Sequence, residues 1–222
     1  AVGYEQKPVL RKLDLRLDAD ARIALLGANG EGKSTLSKFF AGRLQPLSGQ
    51  IKKSGKLRIG FFAQHQLDEL VAGESPYHHM QRLRPKELPT KLRARLGGAG
   101  FDADIIDNPV ERLSGGQKAR LLMAMAAIDA PHILILDEPT NHLDIESREA
   151  LVQALNVYEG TVILVSHDSH LVEMIADQLW IVQDGMVQAF DYSPTFSLRK
   201  VRVLLDSAVS QNFWIPRSDG GL

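Results

Sequence analysis

The stretch "RIALLGANGEGKSTLSKFFAG" (residues 22–42) decides the fold class, because its residue pattern changes twice within a short distance. Its opening run, "RIALLG", is apolar and ends in a glycine, as a short buried strand does. A glycine-rich segment follows, and after Gly32 the apolar residues take up helical spacing. The stretch therefore predicts a strand, a loop and a helix in direct succession.

The loop of this unit, "GANGEGKS" (residues 27–34), fits the motif G-x-x-x-x-G-K-[ST]. Glycines let such a loop turn its N–H groups inward, where they and the helix N-terminus can hold phosphates. Lys33 can then reach the β- and γ-phosphates of a nucleotide, and the Ser34 hydroxyl can bind Mg²⁺. A chance match of a glycine-rich turn is the alternative, and the strand–loop–helix setting disfavours it. The expected nucleotide-binding residues are Gly27, Ala28, Asn29, Gly30, Glu31, Gly32, Lys33, Ser34 and Thr35.

A second candidate site follows another apolar run. The stretch "HILILDEP" (residues 132–139) predicts a buried strand that ends in the carboxylates of Asp137 and Glu138. Adjacent carboxylates there are costly unless a positive charge lies near them, and a magnesium-bound nucleotide supplies one. We expect Asp137 to hold the metal and Glu138 to act as general base toward an attacking water. A solvated acidic loop is the alternative, and the phosphate-binding motif in the same chain argues against it.

The rest of the chain predicts the frame around these sites. Apolar runs predict strands at 57–64 and 161–168, and a helix is expected over 147–158. Buried strands that alternate with helices indicate an α/β fold with a mainly parallel sheet. The region from about residue 67 to about 130 differs, because its first part, to residue 112, contains four prolines and short helical patterns such as "PTKLRARLGG". We interpret it as a small helical subdomain inserted into the body that carries the sheet.

Composition limits the classes of protein. The chain has 222 residues, of which 44% are hydrophobic and 24% charged, so it can bury a large core. A net charge of -1 gives no overall attraction to nucleic acid or membrane. The chain contains no cysteine, and no apolar run approaches the ~18 residues of a membrane helix, so we expect a cytoplasmic protein without membrane insertion. It begins at Ala1, which indicates either a segment of a longer chain or removal of an initiator methionine.

The stretch "LSGGQKARLLMAMA" (residues 113–126) joins a Ser-Gly-Gly turn to a run of good helix formers. The free N–H groups and the dipole at the start of this helix make a second anion site, built like the first. One nucleotide does not need two such sites in one domain. Ser114 is also expected to be the helix N-cap. An N-cap and an anion site both use the free N–H groups at the start of a helix, so the two interpretations are compatible.

Together these motifs resemble those of the ATP-binding-cassette (ABC) ATPases, over about residues 2–191. The resemblance implies a P-loop NTPase fold of ABC type, with a RecA-like sheet, an antiparallel β portion near the N-terminus and an inserted helical subdomain. It also implies ATP and Mg²⁺ as ligands and hydrolysis of ATP to ADP and phosphate. In this family "LSGGQ" binds the γ-phosphate held by the P-loop of a facing domain. A second cassette, from the same parent chain or a second copy, is therefore the implied partner.

The same resemblance implies roles for further residues. Tyr4 corresponds to the aromatic that stacks on adenine, and Gln64 to the glutamine near Mg²⁺ and the attacking water. His167 in "LVSHD" corresponds to the histidine that contacts the γ-phosphate and helps to orient Glu138. Asp144 in "NHLD" corresponds to the D-loop, which links the two nucleotide sites. The signature residues implied to contact nucleotide are Ser114, Gly115, Gly116 and Gln117, and the implied metal ligands are Ser34, Gln64 and Asp137.

Within the family, "DEPTNHLD", "KLRIGFFAQHQLDEL" and "LSGGQKARLLMA" most resemble the second cassette of ABC-F proteins. Those are tandem-cassette ATPases, many of which act on the translating ribosome, so the resemblance implies a translation-related role. The alternative is the ATP-binding subunit of a membrane transporter, whose D-loop more often begins with Ser-Ala than Asn-His. A structural-maintenance-type ATPase is disfavoured, because no long heptad segment separates the P-loop from the signature. A full ABC-F protein is longer, so the resemblance also implies that this chain is a fragment.

The sequence does not assign a single role to two segments. The segment "QRLRPKELPTKLRARL" (residues 81–96) has enough cations for a local RNA contact, and a solvated subdomain face is the alternative. Its cations are Arg82, Arg84, Lys86, Lys91, Arg93 and Arg95. The tail, residues 192–222, does not resemble the family's continuation after a cassette at 1–191. We assign it no role and expect it to be partly disordered.

Overall fold

A six-stranded sheet lies at the centre of the protein. The computed structural model describes residues 1–62, 70–140 and 143–191. The sheet strands are β3 (Arg22–Leu26), β4 (Ile59–Phe62), β5 (Ile133–Asp137), β6 (Thr161–Val165), β7 (Gln178–Gln183) and β8 (Met186–Asp191), in the order β4-β5-β6-β3-β7-β8. All neighbours pair in parallel except β7 and β8. The predicted α/β class with a mainly parallel sheet is confirmed.

The inner strands are apolar along their whole length because the sheet is covered on both faces. Leu134, Ile135 and Ile163 have no exposed surface, and they belong to two separate apolar clusters on opposite faces. Neither face of such a strand meets solvent, so neither needs polar residues, which explains the continuous apolar runs in the sequence. Parallel strands end at the same edge, so the loops after β3, β5 and β6 come together.

A two-stranded antiparallel sheet near the N-terminus confirms the predicted β portion there. It consists of β1 (Val2–Tyr4) and β2 (Lys7–Leu10), and its turn residues Glu5 and Gln6 both have positive φ. A Cβ added at Gly32 would lie 2.9 Å from the side chain of Leu10. The hairpin therefore packs directly against the start of the helix that follows β3.

Six α-helices complete the described part of the chain. They are α1 (Lys33–Phe40), α2 (Pro76–Leu83), α3 (Pro89–Gly98), α4 (Gly115–Ala126), α5 (Ile145–Asn156) and α6 (Ser169–Ile175). The strand–loop–helix unit is present, and α3 covers the "PTKLRARLGG" pattern. Helix α5 begins two residues before the predicted 147–158 because the side chain of Asp144 caps it by accepting from the Ser147 N–H at 2.8 Å.

The helical region has a core of its own. Met80, Leu92 and Leu96 from α2 and α3 pack with Leu121 of α4 in a cluster apart from the sheet. Leu122, the next residue of α4, packs instead in the cluster against the sheet. Helix α4 thus joins the two parts. The predicted limits of the subdomain and of the cassette remain predictions, and Leu67 and the tail at 192–222 lie outside the described residues.

Strands β7 and β8 have no counterpart among the predicted elements. Their hairpin turns at Asp184 and Gly185, with φ of 53° and 72°, and the fully buried Trp180 anchors β7. The Asp-Gly dipeptide between two apolar runs is a hairpin signal that the sequence contained. Among the described residues, no helix has the length and apolar character needed to cross a membrane.

Candidate nucleotide-binding site

The loop between β3 and α1 has a conformation that requires glycine. Gly27, Gly30 and Gly32 all have positive φ, at 153°, 89° and 111°. A Cβ on Gly27 would also lie 2.4 Å from the carbonyl oxygen of Val182 in β7. Gly32 is the N-cap of α1, and no side chain caps this helix. The N–H groups of its first turn, with the positive end of the helix dipole, are therefore available to an anion.

Lys33, the first residue of α1, is a buried cation. Its side chain is 8% exposed, and its Nζ donates to the carbonyl oxygens of Gly27 at 2.7 Å and Ala28 at 3.0 Å. Burial lowers the pKa of Lys33, and the nearby carboxylates of Glu138 and Asp137 partly oppose that shift. The ammonium group thus lies inside the phosphate-binding loop with two carboxylates close by.

Asp137 and Glu138 stand at the carboxyl end of β5. Burial raises the pKa of both carboxyl groups, and Lys33 acts in the opposite direction on each. A hydrogen bond from the Ser34 side chain also lowers the pKa of Asp137, so these two predicted metal ligands are in contact. Half-buried carboxylates beside a hydroxyl are the oxygen ligands that Mg²⁺ prefers. The residues present therefore fit a magnesium ion.

Glu138 has an unusual backbone conformation. Its φ is 51°, in the left-handed region that costs a residue with a Cβ about 1–2 kcal/mol. Its N–H donates to the carbonyl oxygen of Val165 at 2.8 Å, which ties the end of β5 to the end of β6. Backbone strain of this kind is concentrated at functional sites in proteins.

His167 follows β6 and meets Glu138. Its Nε2 lies 3.4 Å from Oε1 of Glu138, and its backbone forms a hydrogen bond that lowers the pKa of that carboxyl. Burial and then the charge of Lys33 lower the pKa of His167. A lowered pKa favours the neutral imidazole, which can meet Glu138 through a hydrogen bond without a full positive charge.

These residues surround one cavity of about 240 Å³ at the carboxyl edge of the sheet. Its lining residues are Asn29, Gly30, Gly32, Lys33, Ser34, Thr35, Asp137, Glu138, Val165 and His167. A basic side chain, two acidic side chains, a histidine and a helix N-terminus therefore share one space. That combination can bind a phosphate chain, hold a metal ion and accept a proton.

Glu31, within the motif, makes a contact that the sequence did not predict. Its carboxylate accepts from the N–H of Asp184 at 2.8 Å, in the turn between β7 and β8. The Glu31 side chain therefore holds the loop to this turn, and only the backbone of Glu31 is available to bind a phosphate. The unpredicted hairpin is what brings Asp184 to this place.

The signature segment lies at the start of α4. Ser114 is the N-cap, as expected, and forms a capping box with Gln117, with bonds of 3.2 and 2.9 Å. The two glycines are not a turn, because α4 begins at Gly115. Gly115 is needed for packing: a Cβ there would lie 2.5 Å from Oγ of Ser147 and 2.7 Å from Oδ2 of Asp144. The signature and the N-terminus of α5 are thus in close contact.

Several predicted site residues lie away from the cavity. Tyr4 is 43% exposed in the N-terminal hairpin and does not line the cavity, and neither do Ser114 and Asp144. Gln64 lies outside the described residues. Its predicted role remains a prediction.

Four of the six cations between residues 81 and 96 form ion pairs. Arg82 pairs with Glu74 and Arg84 with Asp129. The other two pairs are Arg93 with Asp107 at 2.9 Å and Arg95 with Glu87 at 3.1 Å. Much of the positive charge is therefore neutralised within the protein, which supports the solvated-face interpretation over RNA binding.

Comparison with known proteins identifies a family profile and several relatives that this chain resembles. The profile of the ABC transporter family matches residues 10–141. The chain is 48% identical over 191 residues to the probable ATP-binding protein YheS of Escherichia coli (strain K12), covering 86% of this chain and 30% of the relative. It is 43% identical to ABC transporter F family member 3 of Arabidopsis thaliana, over 85% of this chain and 26% of the relative. For Protein GCN20 of Saccharomyces cerevisiae the identity is 39%, with 85% and 25% covered. The chain thus spans less than a third of the length of these relatives.

Solved structures share the fold. CbiO1 from Clostridium perfringens, part of the ABC transporter complex cbiONQ, superposes with a TM-score of 0.70 and 29% identity, over 87% of this chain and 86% of that one. The ADP- and phosphate-bound dimer of the ATP-binding cassette MJ0796 gives a TM-score of 0.63 at 22% identity, over 82% and 90% of the two chains. The similarity to MJ0796 is evidence for the fold alone.

Proposed function

The chain belongs to the ABC transporter family as an ATP-binding cassette, and from this membership we propose that it is an ABC-F-type ATPase. Its ATP-driven closure on a second cassette would serve a translation-related role. The proposal is carried by one observation: Lys33, Asp137, Glu138 and His167 line the same cavity at the edge of the sheet. Three segments far apart in sequence, at residues 33, 137–138 and 167, thus supply a cation, a metal ligand, a base and an imidazole in one place.

The chain's own residues have distinct tasks in hydrolysis. Lys33 exchanges the carbonyl oxygens of Gly27 and Ala28 for phosphate oxygens when ATP enters. Glu138 removes a proton from the attacking water, and its burial strengthens it as a base because the charged form is poorly solvated. The Nε2–H of His167 can donate to Oε1 of Glu138 and orient it, or turn to a γ-phosphate oxygen once ATP is bound, since a neutral imidazole has one N–H to donate.

Mg²⁺ would be held by Ser34 and Asp137. The ion, when bound, supplies the positive charge that neutralises phosphate oxygens. The side-chain hydrogen bond between the two residues already brings hydroxyl and carboxylate oxygens together. Gln64, the third predicted ligand, lies outside the described residues.

A second cassette would complete the site. Ser114 and the first turn of α4 form an anion-binding helix start that does not line the chain's own cavity. We propose that this surface binds the γ-phosphate on a facing cassette, while Tyr4 stacks on adenine and Asp144 lies between the two sites. ATP then acts as a clamp, since it contacts both cassettes only in the closed state.

The similarity to ABC-F relatives supports a cytoplasmic, ribosome-related role. The chain is 39–48% identical to YheS, the ABC-F members and GCN20 over most of its length. A transporter subunit is the second candidate, since cbiO1 belongs to a transporter complex. The two candidates differ in the partner that the closed cassette holds.

Trapping the closed state distinguishes these partners. We predict that Glu138→Gln, introduced at the gene's own locus so that any longer parent chain carries it, retains the protein in the ribosomal fraction of a sucrose gradient. The physical reason is that ATP still binds and closes the cassette, whereas hydrolysis no longer opens it. The matched control is Lys33→Ala with Glu138→Gln, which binds ATP more weakly and should therefore be depleted from that fraction. Recovery with membranes instead would favour the transporter subunit, and recovery in neither fraction would contradict the ribosomal role.

A further inference from the structure

Arg148, in the first turn of α5, contacts two separate segments of the chain. Its Nε donates to the carbonyl oxygen of Leu143 at 3.2 Å, and its Nη1 donates to Oδ2 of Asp168 at 3.2 Å. Leu143 immediately precedes Asp144, the N-cap of α5, and Asp168 immediately follows His167. One guanidinium therefore joins the entry of α5 to the loop that carries the histidine.

Asp168 is held from a second side as well. Its Oδ1 accepts from the N–H groups of His170 at 3.0 Å and Leu171 at 3.2 Å, which makes it the N-cap of α6. Its own N–H donates to Oγ of Ser166 at 3.0 Å. Since His167 lies between Ser166 and Asp168, any movement of Asp168 also moves the imidazole.

The two carboxylate oxygens of Asp168 serve different purposes. Oδ1 caps α6 and needs no arginine, whereas Oδ2 faces Arg148. The side chains of Arg148 and Asp168 are 47% and 17% exposed, and an ion pair with one partner this exposed is screened by solvent and contributes modestly to folding stability. Stability alone is therefore a weak reason for this contact. Its geometry is better suited to fixing the position of the histidine loop.

We propose that Arg148 is a positioning residue for ATP hydrolysis, holding the loop that carries His167 against the segment before α5. Through this loop it keeps Nε2 of His167 beside Oε1 of Glu138, 3.4 Å away. Arg148 touches neither nucleotide nor reacting water in this scheme. The inference rests on the proposed ATPase function and adds a specific residue to it.

Steady-state kinetics of variants test the role. Arg148→Ala should lower kcat roughly ten- to hundredfold, as misplacement of a catalytic group does, and leave KM for ATP unchanged. Arg148→Lys should recover part of the rate because one donor to Asp168 returns. The control is Arg93→Ala, which removes another arginine–aspartate ion pair, to Asp107 and away from the cavity, and should retain the parental kcat.

A double-mutant cycle links the effect to the Asp168 contact. Asp168→Asn keeps an oxygen to cap α6 but removes the negative charge facing Arg148. Combined with Arg148→Ala it should be no slower than the slower single variant, because both changes break the same contact. A parental kcat for Arg148→Ala, or fully additive effects, would overturn the inference and leave the ATPase function intact.

A second measurement tests the positioning role without ATP hydrolysis. If the parent chain hydrolyses no ATP, that result counts against the proposed function and not against the positioning role, which this measurement still tests. The imidazole NMR resonance of His167, identified by its loss in His167→Gln, is recorded at fixed pH without nucleotide. It should shift in Arg148→Ala and stay in place in Arg93→Ala. An unchanged resonance in Arg148→Ala contradicts the positioning role.

Discussion

Lys33 illustrates how a buried charge is kept ready for a ligand. Desolvation disfavours its ammonium group, and two loop carbonyls together with nearby carboxylates compensate. Phosphate oxygens can replace those carbonyls without exposing the ammonium group to a less polar environment. The side chain is therefore already at the position where we propose that the phosphates bind.

Removing this ammonium should weaken nucleotide binding. We predict that Lys33→Ala lowers affinity for ATP by roughly ten- to hundredfold, since a charge-assisted hydrogen bond contributes about 1.5–3 kcal/mol. Isothermal titration calorimetry provides the measurement. Lys38→Ala is the control, because Lys38 is an exposed cation on the same helix and does not line the cavity. Equal affinities of the Lys33 variant and the parent would refute the assignment of the phosphate-binding loop.

At this scale the sequence indicates candidate residues and not the contacts between them. Lys33 and Glu138 are candidates because each lies in a local motif that follows a strand, and both line the cavity. The bond from Asp184 to Glu31 spans 153 positions, and that from Arg148 to Asp168 spans 20. Contacts of this kind depend on which strands are neighbours in the sheet, and no local pattern encodes that order. The positive φ of Glu138 was equally invisible, because it follows from tertiary packing.

At the scale of elements, the packing of α4 against α5 connects the signature to the segment after β5. Gly115 approaches Ser147 and Asp144 too closely for a side chain, whereas a Cβ on Gly116 would find no atom nearer than 3.8 Å. Ser147 is fully buried and hydrogen-bonded to Asp144, so neither can move aside without disturbing the cap of α5. Close packing therefore requires a glycine at Gly115, whereas the space around Gly116 would admit a side chain.

This difference gives a matched pair of variants. Gly115→Ala should be less stable than Gly116→Ala by about 1–3 kcal/mol, the usual cost of overpacking a filled site. Gly116→Ala should equal or exceed the parent, because alanine is favoured over glycine in a helix by up to about 1 kcal/mol. Denaturant unfolding without nucleotide measures both free energies. Equal stability of the two variants would mean that α4 and α5 do not pack this closely.

Elements with strong local signals were predictable, and those defined by their partners were not. The helix after Gly32 has helical spacing and the strand ending at Asp137 is a continuous apolar run, and both lie where the sequence predicts them. The Asp-Gly turn signals the hairpin of β7 and β8, but the place of β7 beside β3 follows only from the pairing in the sheet. The start of α4 was misjudged because glycines favour turns, whereas here they permit close helix packing.

At the scale of the whole molecule, the described residues place the proposed nucleotide cavity apart from the helix start that we propose to bind an anion. The cavity contains Lys33 and Glu138, and the N-terminus of α4 at Ser114 does not line it. A surface of this kind acts only when another molecule brings phosphate to it. The chain spans 30% of the length of YheS, so a cassette elsewhere in a longer protein could meet this requirement as well as a second copy.

The rate of ATP hydrolysis by Glu138→Gln, measured with its ATP affinity, tests the proposed chemistry most directly. Glutamine keeps the shape of the side chain but cannot accept the proton of water. Turnover should therefore fall by roughly 10²–10⁴, the range for a lost general base, and affinity for ATP should stay at the parental value. Turnover equal to that of the parent would contradict Glu138 as the base and the site built around it.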